Sequence, residues 1–302
     1  MLDINTFIEQ RAELANISCR TFIVTVFGDV VSQHGDWVWL GSLIEILQPL
    51  GYSERLVRTS VFRLVKEDWL EVKKVGRKSY YRLTDSANSH YLKAAKRIYT
   101  ADTRLSENNW CILLPSFVEE PKLSLLKKQL NWLGFSAISA GAYAHPNFDQ
   151  TSLDETIKEL DLADSVVVFS ANTIGENSAN VLKKLVDLKW EMPALQQRYS
   201  LFIETYNGIV ELIRSGVSIT DHQCLSLRIL MVHEYRRILL TDHELAEDML
   251  PPDWKGHQAN QLVESLYAKF SEPSCQYICS TLQSIDGPLA PPNKSFFKRF
   301  SN

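Results

Sequence analysis

The chain has 302 residues, 45% hydrophobic and 23% charged, with 12 glycines and 11 prolines; this excludes collagenous, disordered and low-complexity classes and leaves room for two or three domains of about 100 to 200 residues. The longest apolar run, Trp110 to Leu114, is far below the roughly 18 residues of a membrane-spanning helix. Asp3 and Glu9 interrupt any apolar leader and the five cysteines are scattered, so the sequence reads as a cytoplasmic protein without a disulfide framework.

The net charge of −4 hides an asymmetry: residues 1–100 carry 14 basic against 11 acidic side chains, and within them residues 53–82 carry nine against four. A basic stripe on an acidic protein is the electrostatic footprint of one module that meets phosphates.

In chain order, residues 18–31 read as a helix with Ser18 as N-cap, although their β-branched content leaves a strand open. Gly35 breaks the chain, and Trp37 to Leu40 alternates like a short strand. Leu43, Ile44, Ile46, Leu47 and Leu50 then mark a second helix that ends near Gly51. Ser53 caps a third helix, Glu54 to Asp68, with Val57, Val61, Leu64 and Val65 on one face. Arg55, Thr59, Phe62, Arg63 and Lys66 lie on the opposite face, with Arg58 at its edge.

Two strand patterns follow, Trp69 to Lys74 and Ser79 to Leu83, joined by a tight turn at Gly76. Helix, turn, helix and basic hairpin make a winged helix, expected over residues 1–90. Its recognition helix would offer Ser53, Arg55, Arg58, Thr59, Arg63 and Lys66 to base edges and phosphates, with Arg20 from the first helix. The hairpin would set Lys73, Lys74, Arg77, Lys78 and Tyr80 against the backbone of double-stranded DNA. The competing reading is a solvated charged face on a small α/β domain. Base readout alone leaves Phe62 unexplained; it is assigned to packing under the hairpin or against the next helix.

That next helix, Leu92 to Arg104, serves as a linker over residues 91–104. A unit over residues 105–178 reads as strand (Trp110 to Leu114), helix (Leu123 to Leu133), strand (Phe135 to Tyr143), helix (Leu153 to Leu160) and strand (Val166 to Phe169), with room for another short strand near Gly141 to Pro146. This order fits a ferredoxin-like sandwich. Residues 179–302 read as an all-helical domain: Val181 to Trp190, Ala194 to Arg214, Leu225 to Leu240 and Ala259 to Phe270. The expected class is therefore α+β multidomain.

Catalytic motifs are missing. His233-Glu234 and His243-Glu244 begin like a zinc-protease helix, but Arg237 and Glu247 stand where a second histidine is needed. Cys275 with Cys279, and His222 with Cys224, read as buried thiols rather than a metal site. No dinucleotide fingerprint, phosphate loop or nucleophile elbow occurs, so no catalytic residue, metal site or cofactor is assigned.

The strings IVTVFGDVV, WVWLGSLIEILQPLG, SERLVRTSVFRLVKEDWLE and GRKSYYRLT resemble the N-terminal part of the PaaX family, repressors of phenylacetic acid degradation operons. Residues 233–256, HEYRRILLTDHELAEDMLPPDWKG, resemble that family's C-terminal signature. They depart from it at Thr241-Asp242-His243, where an Asp-Pro step is expected, and at Lys255, where a proline is expected. The resemblance implies an N-terminal winged helix and a middle domain similar to a small CRISPR-associated endonuclease. Leu114, Pro115 and Ser116 stand where that nuclease needs an acidic metal ligand, so a structural or dimerising role is the stronger reading.

The resemblance further implies release from an operator by an aryl-CoA thioester such as phenylacetyl-CoA. Arginines suit its phosphates and an aromatic wall suits its acyl end, which nominates His233, Tyr235, Arg236, Arg237 and Trp254. Pairing of such arginines with Asp242 or Asp253 to hold a loop stays open as the alternative. The expected function is a homodimeric transcriptional repressor. The competing expectation is a CoA-ester-acting enzyme or nuclease with an appended winged helix.

Overall fold

A computed structural model describes residues 3–14, 18–100, 110–146, 148–243, 245 and 247–300. The elements run α1 (Ile4–Leu14), α2 (Cys19–Asp29), β1 (Val38–Trp39), α3 (Leu40–Leu47), α4 (Glu54–Lys66), β2 (Leu70–Val75), β3 (Lys78–Leu83) and α5 (Asp85–Ile98). They continue with β4 (Trp110–Pro115), α6 (Lys122–Trp132), β5 (Ser136–Ser139), β6 (Ala142–His145), α7 (Gln150–Glu159) and β7 (Val166–Ala171). Four long helices follow, α8 (Gly175–Lys189), α9 (Met192–Arg214), α10 (Asp221–Leu239) and α11 (Lys255–Thr281), and then a two-stranded ribbon, β8 (Gln283–Ser284) and β9 (Gly287–Pro288).

Residues 18–31, open between helix and strand from sequence, are helical because Ser18 caps them: its Oγ accepts from the Thr21 N–H at 3.2 Å. The linker helix expected over 91–104 instead starts at Asp85, capped by Thr84, and ends at Ile98; positions 101–104 lie outside the described residues. The strand expected from Phe135 to Tyr143 stops at Ser139 as β5, and the further short strand allowed for near Gly141 to Pro146 is present as β6, Ala142–His145. Gly141, at φ 76°, reverses the chain there in a conformation that β-carbons disfavour.

The chain divides into two compact units, residues 1–101 with 201–239 and 257–302, and residues 102–200 with 240–256. This differs from the linear partition expected at 90, 104 and 178. The reason lies in α10, which is buried continuously from Cys224 to Tyr235. A helix buried on every side needs neighbours all round; α1, α2 and α5 supply part of that surround.

In the first unit, β1, β3 and β2 form an antiparallel sheet in that order. Trp39 and Lys73 both stand opposite Tyr80, and Val75 stands opposite Lys78. Gly76, at φ 60°, opens the two-residue turn between β2 and β3. In the second unit the antiparallel order is β5-β6-β4-β7, the strand order of a ferredoxin-like sandwich. Cys111, Leu113, Leu126, Leu130, Phe135, Leu153 and Leu162 form its core.

Candidate functional site

Val57, Ser60, Val61 and Leu64 anchor α4 by their burial, and Ser53 fixes its start by accepting from the Leu56 N–H at 3.3 Å. That leaves Arg55, Arg58, Thr59, Phe62, Arg63 and Lys66 exposed. Arg58 is committed to Glu54, at 2.7 Å, and Arg20 of α2 to Glu67, at 2.6 Å. Arg55, Arg63, Lys66, Lys73, Lys74 and Arg77 form no ion pair among the described residues, and Lys78 Nζ lies 4.5 Å from the centre of the Trp39 ring. The Thr59 hydroxyl donates to the Arg55 carbonyl at 2.9 Å.

Two expectations are corrected here. Tyr80 is only 6% exposed: it lies in the central strand of its sheet, where its ring serves the core rather than a ligand. Phe62, expected to pack under the hairpin or against the following helix, is 64% exposed. Its position on the outward face of α4 keeps it in solvent.

The five residues nominated for an effector are distributed over both units. His233 and Tyr235 are interior residues of α10, Arg236 is half-buried and Arg237 exposed. Trp254 belongs to the other unit, where its ring meets Tyr199 edge-on at 5.4 Å. Tyr235 packs on Phe202, and its hydroxyl accepts from Asn260 Nδ2 at 3.1 Å. His233 Nδ1 is 2.7 Å from Thr25 Oγ1, and its ring lies 4.9 Å from that of Phe22. Burial, with Arg236 and Arg237 nearby, pushes the His233 imidazole down to about 3, so it is neutral at physiological pH.

Arg236 donates to the same Thr25 hydroxyl at 3.0 Å and has no carboxylate partner among the described residues; burial lowers its pKa. Asp242, named as an alternative partner for these arginines, accepts from the Tyr199 hydroxyl at 2.7 Å within its own unit.

Sequence reasoning missed a buried, heavily bonded carboxylate, Asp29. Wholly buried at the end of α2, it accepts from Arg228 Nε at 3.0 Å, Arg299 Nη1 at 2.9 Å, Tyr99 at 2.9 Å and Tyr267 at 3.0 Å. Burial alone would raise its pKa, but the two arginines and then the two hydroxyls hold it below the usual carboxylate value. Arg299 also lies over the Tyr99 ring, 3.7 Å from its centre. The available signal was an aspartate embedded in an apolar helix, which demands a buried counter-charge.

Cys275 and Cys279 approach His34, at 3.7 and 3.9 Å. Burial raises both thiols and pushes the His34 ring down to about 4. Among the described residues no group of three His, Cys, Asp or Glu is placed to hold a metal, and no helix is long and apolar enough to cross a membrane. Glu244, of the second zinc-protease-like pair, lies outside the described residues.

Residues 18–87 match the family described as PaaX-like protein, residues 105–182 the PaaX protein central Cas2-like domain, and residues 190–280 the PaaX-like protein C-terminal domain. The transcriptional repressor PaaX of Escherichia coli (strain K12) is 32% identical over 301 residues, covering 99% of this chain and 95% of that protein. A solved structure of an uncharacterized protein from Mycobacterium tuberculosis aligns with a TM-score of 0.55 at 17% identity. It covers 85% of this chain and 97% of the other, a likeness of fold alone.

Proposed function

The chain belongs to the PaaX-like protein family, and from that premise we propose that it is a transcriptional repressor that grips its operator with a winged helix. Residues 1–90 are the DNA-binding part, with α2, α3 and α4 as its helices and β2–β3 as its wing. The observation that carries this reading is the outward face of α4, where Arg55, Arg63 and Lys66 stand exposed without ion-pair partners among the described residues. Guanidinium forks of this kind pair with guanine O6 and N7, and lysines with phosphate. Lys73, Lys74, Arg77 and Lys78 of the wing hold the duplex backbone. Arg20 and Arg58 join them only by exchanging Glu67 and Glu54 for phosphate. The protein acts as a homodimer on two half-sites, with residues 105–178 and 179–302 supplying dimerisation and effector binding.

Release follows from linkage. An aryl-CoA thioester such as phenylacetyl-CoA that binds a conformation with α4 displaced must lower operator affinity by the same factor. Support comes from Arg236, a half-buried guanidinium that among the described residues meets a neutral hydroxyl on α2, the helix that leads the winged helix, and no carboxylate. Such a group gains from a phosphate or carboxylate that reaches it.

Fluorescence anisotropy with a duplex from the protein's own promoter, across a potassium chloride series and with or without phenylacetyl-CoA, tests both halves. Saturable, salt-sensitive binding that weakens with the thioester is expected. Absence of a saturable complex overturns the repressor reading, and unchanged affinity at saturating thioester overturns the effector.

A further inference from the structure

The least expected side chain on the cationic face is Phe62, 64% exposed. No other ring stacks on it among the described residues, and its one cationic neighbour, Lys66 Nζ, is 6.0 Å from the ring centre. At about 100° per residue, Phe62 lies roughly 60° to one side of Thr59 and Leu56 roughly 60° to the other, with Arg55, Arg63 and Lys66 between them. Leu56 is itself 45% exposed. Thr59 donates its hydroxyl proton to the Arg55 carbonyl, at 2.9 Å, which leaves it a methyl for apolar contact and an oxygen that can still accept. The face thus interleaves apolar groups with cations.

A surface of this chemistry asks for a partner that is anionic yet offers small apolar groups at close range. The major groove supplies both, because phosphates line its rims and the 5-methyl of thymine is the apolar group that its floor presents. We propose that Phe62, assisted by the Thr59 methyl, reads a thymine methyl group and so sets sequence preference beside the arginines. This rests on the reading of α4 as a recognition helix and adds to it a named base and a named atom.

The test uses the full-length protein. Duplexes are selected from a random-sequence pool, the enriched sequence is synthesised, and each thymine in turn is replaced by deoxyuridine, which removes only the methyl. For wild-type protein, at least one replacement weakens binding about fourfold, the worth of one buried methyl group. In Phe62→Ala, whose side chain is exposed and whose fold circular dichroism checks, that replacement has no further effect. The inference is overturned if every replacement is silent in wild type, or if the sensitivity survives Phe62→Ala undiminished. Failure to enrich any duplex is a different result: it removes the DNA-binding reading itself, and this inference with it.

Discussion

Arginine serves opposite ends in two regions of the same compact unit. On α4, Arg55 and Arg63 stand in solvent and the described chain offers them no carboxylate; at the end of α2, Arg228 and Arg299 are withdrawn from water and converge on Asp29. A guanidinium can be buried only if its counter-charge is buried with it, whereas an exposed one is hydrated until a partner arrives. The buried cluster joins α2, α5, α10, α11 and the C-terminal segment into one network. The exposed set stays hydrated. Arg236 stands between the two cases, half-buried and bonded among the described residues to the Thr25 hydroxyl.

The sharpest way to break this contrast is Asp29→Asn, which strands two buried cations. It should cost about 3 to 5 kcal/mol in urea unfolding, while Arg55→Ala should move stability by less than about 0.5 kcal/mol. Equal effects from the two substitutions would erase the distinction.

Acid provides the next test. His34 and His233 titrate near 4 and 3 in the folded state against an ordinary 6.5, so the unfolded chain takes up protons that the native chain refuses. Their stabilisation is complete above 6.5 and declines as pH falls towards 4 for His34 and towards 3 for His233. Each histidine contributes about 1.4 kcal/mol per pH unit, or about 2 kcal/mol between pH 6.5 and 5. Asp29, whose pKa is depressed, behaves differently: its contribution is present above its unfolded value of 3.8 and is lost only as pH falls below that. Urea midpoints at pH 7 and 5 that coincide would refute the assignment of these rings as buried and neutral.

The smallest effects divide the exposed set itself. Arg63→Ala should weaken operator binding by about 1 to 3 kcal/mol and relax base preference. Lys74→Ala should weaken all sequences alike and lower the slope of log affinity against log salt by about 0.9. A base-specific loss from Lys74→Ala would place the wing in the groove instead of on phosphate.

Much of this was legible in residue order. The caps Ser18 and Ser53, the 3.6-residue stripe of Val57, Val61 and Leu64, and Gly76 between two alternating strands are local signals, and local physics sets them. The ferredoxin-like succession was legible for the same reason, including room for the short strand that is β6, although the first arm was read four residues too far, past the reversal at Gly141. Helix α1 passed unseen, since Ile4, Phe7, Ile8 and Ala12 find their burial within a unit that includes segments far along the chain. The contiguous signature string over residues 233–256 gave no sign that it divides between two units, because that division depends on what packs on each segment.

Sequence by itself determined most of the helices and strands, where the positive charge concentrates and to which family the chain belongs, because these depend on neighbours within a few residues or on the string as a whole. Tertiary structure alone decided that Asp29 meets Arg228 and Arg299, partners 199 and 270 positions away, that Tyr80 is withdrawn and that Phe62 remains in the open. Burial is a property of what packs on a surface, and residues brought together from opposite ends of a chain leave no mark in its local pattern.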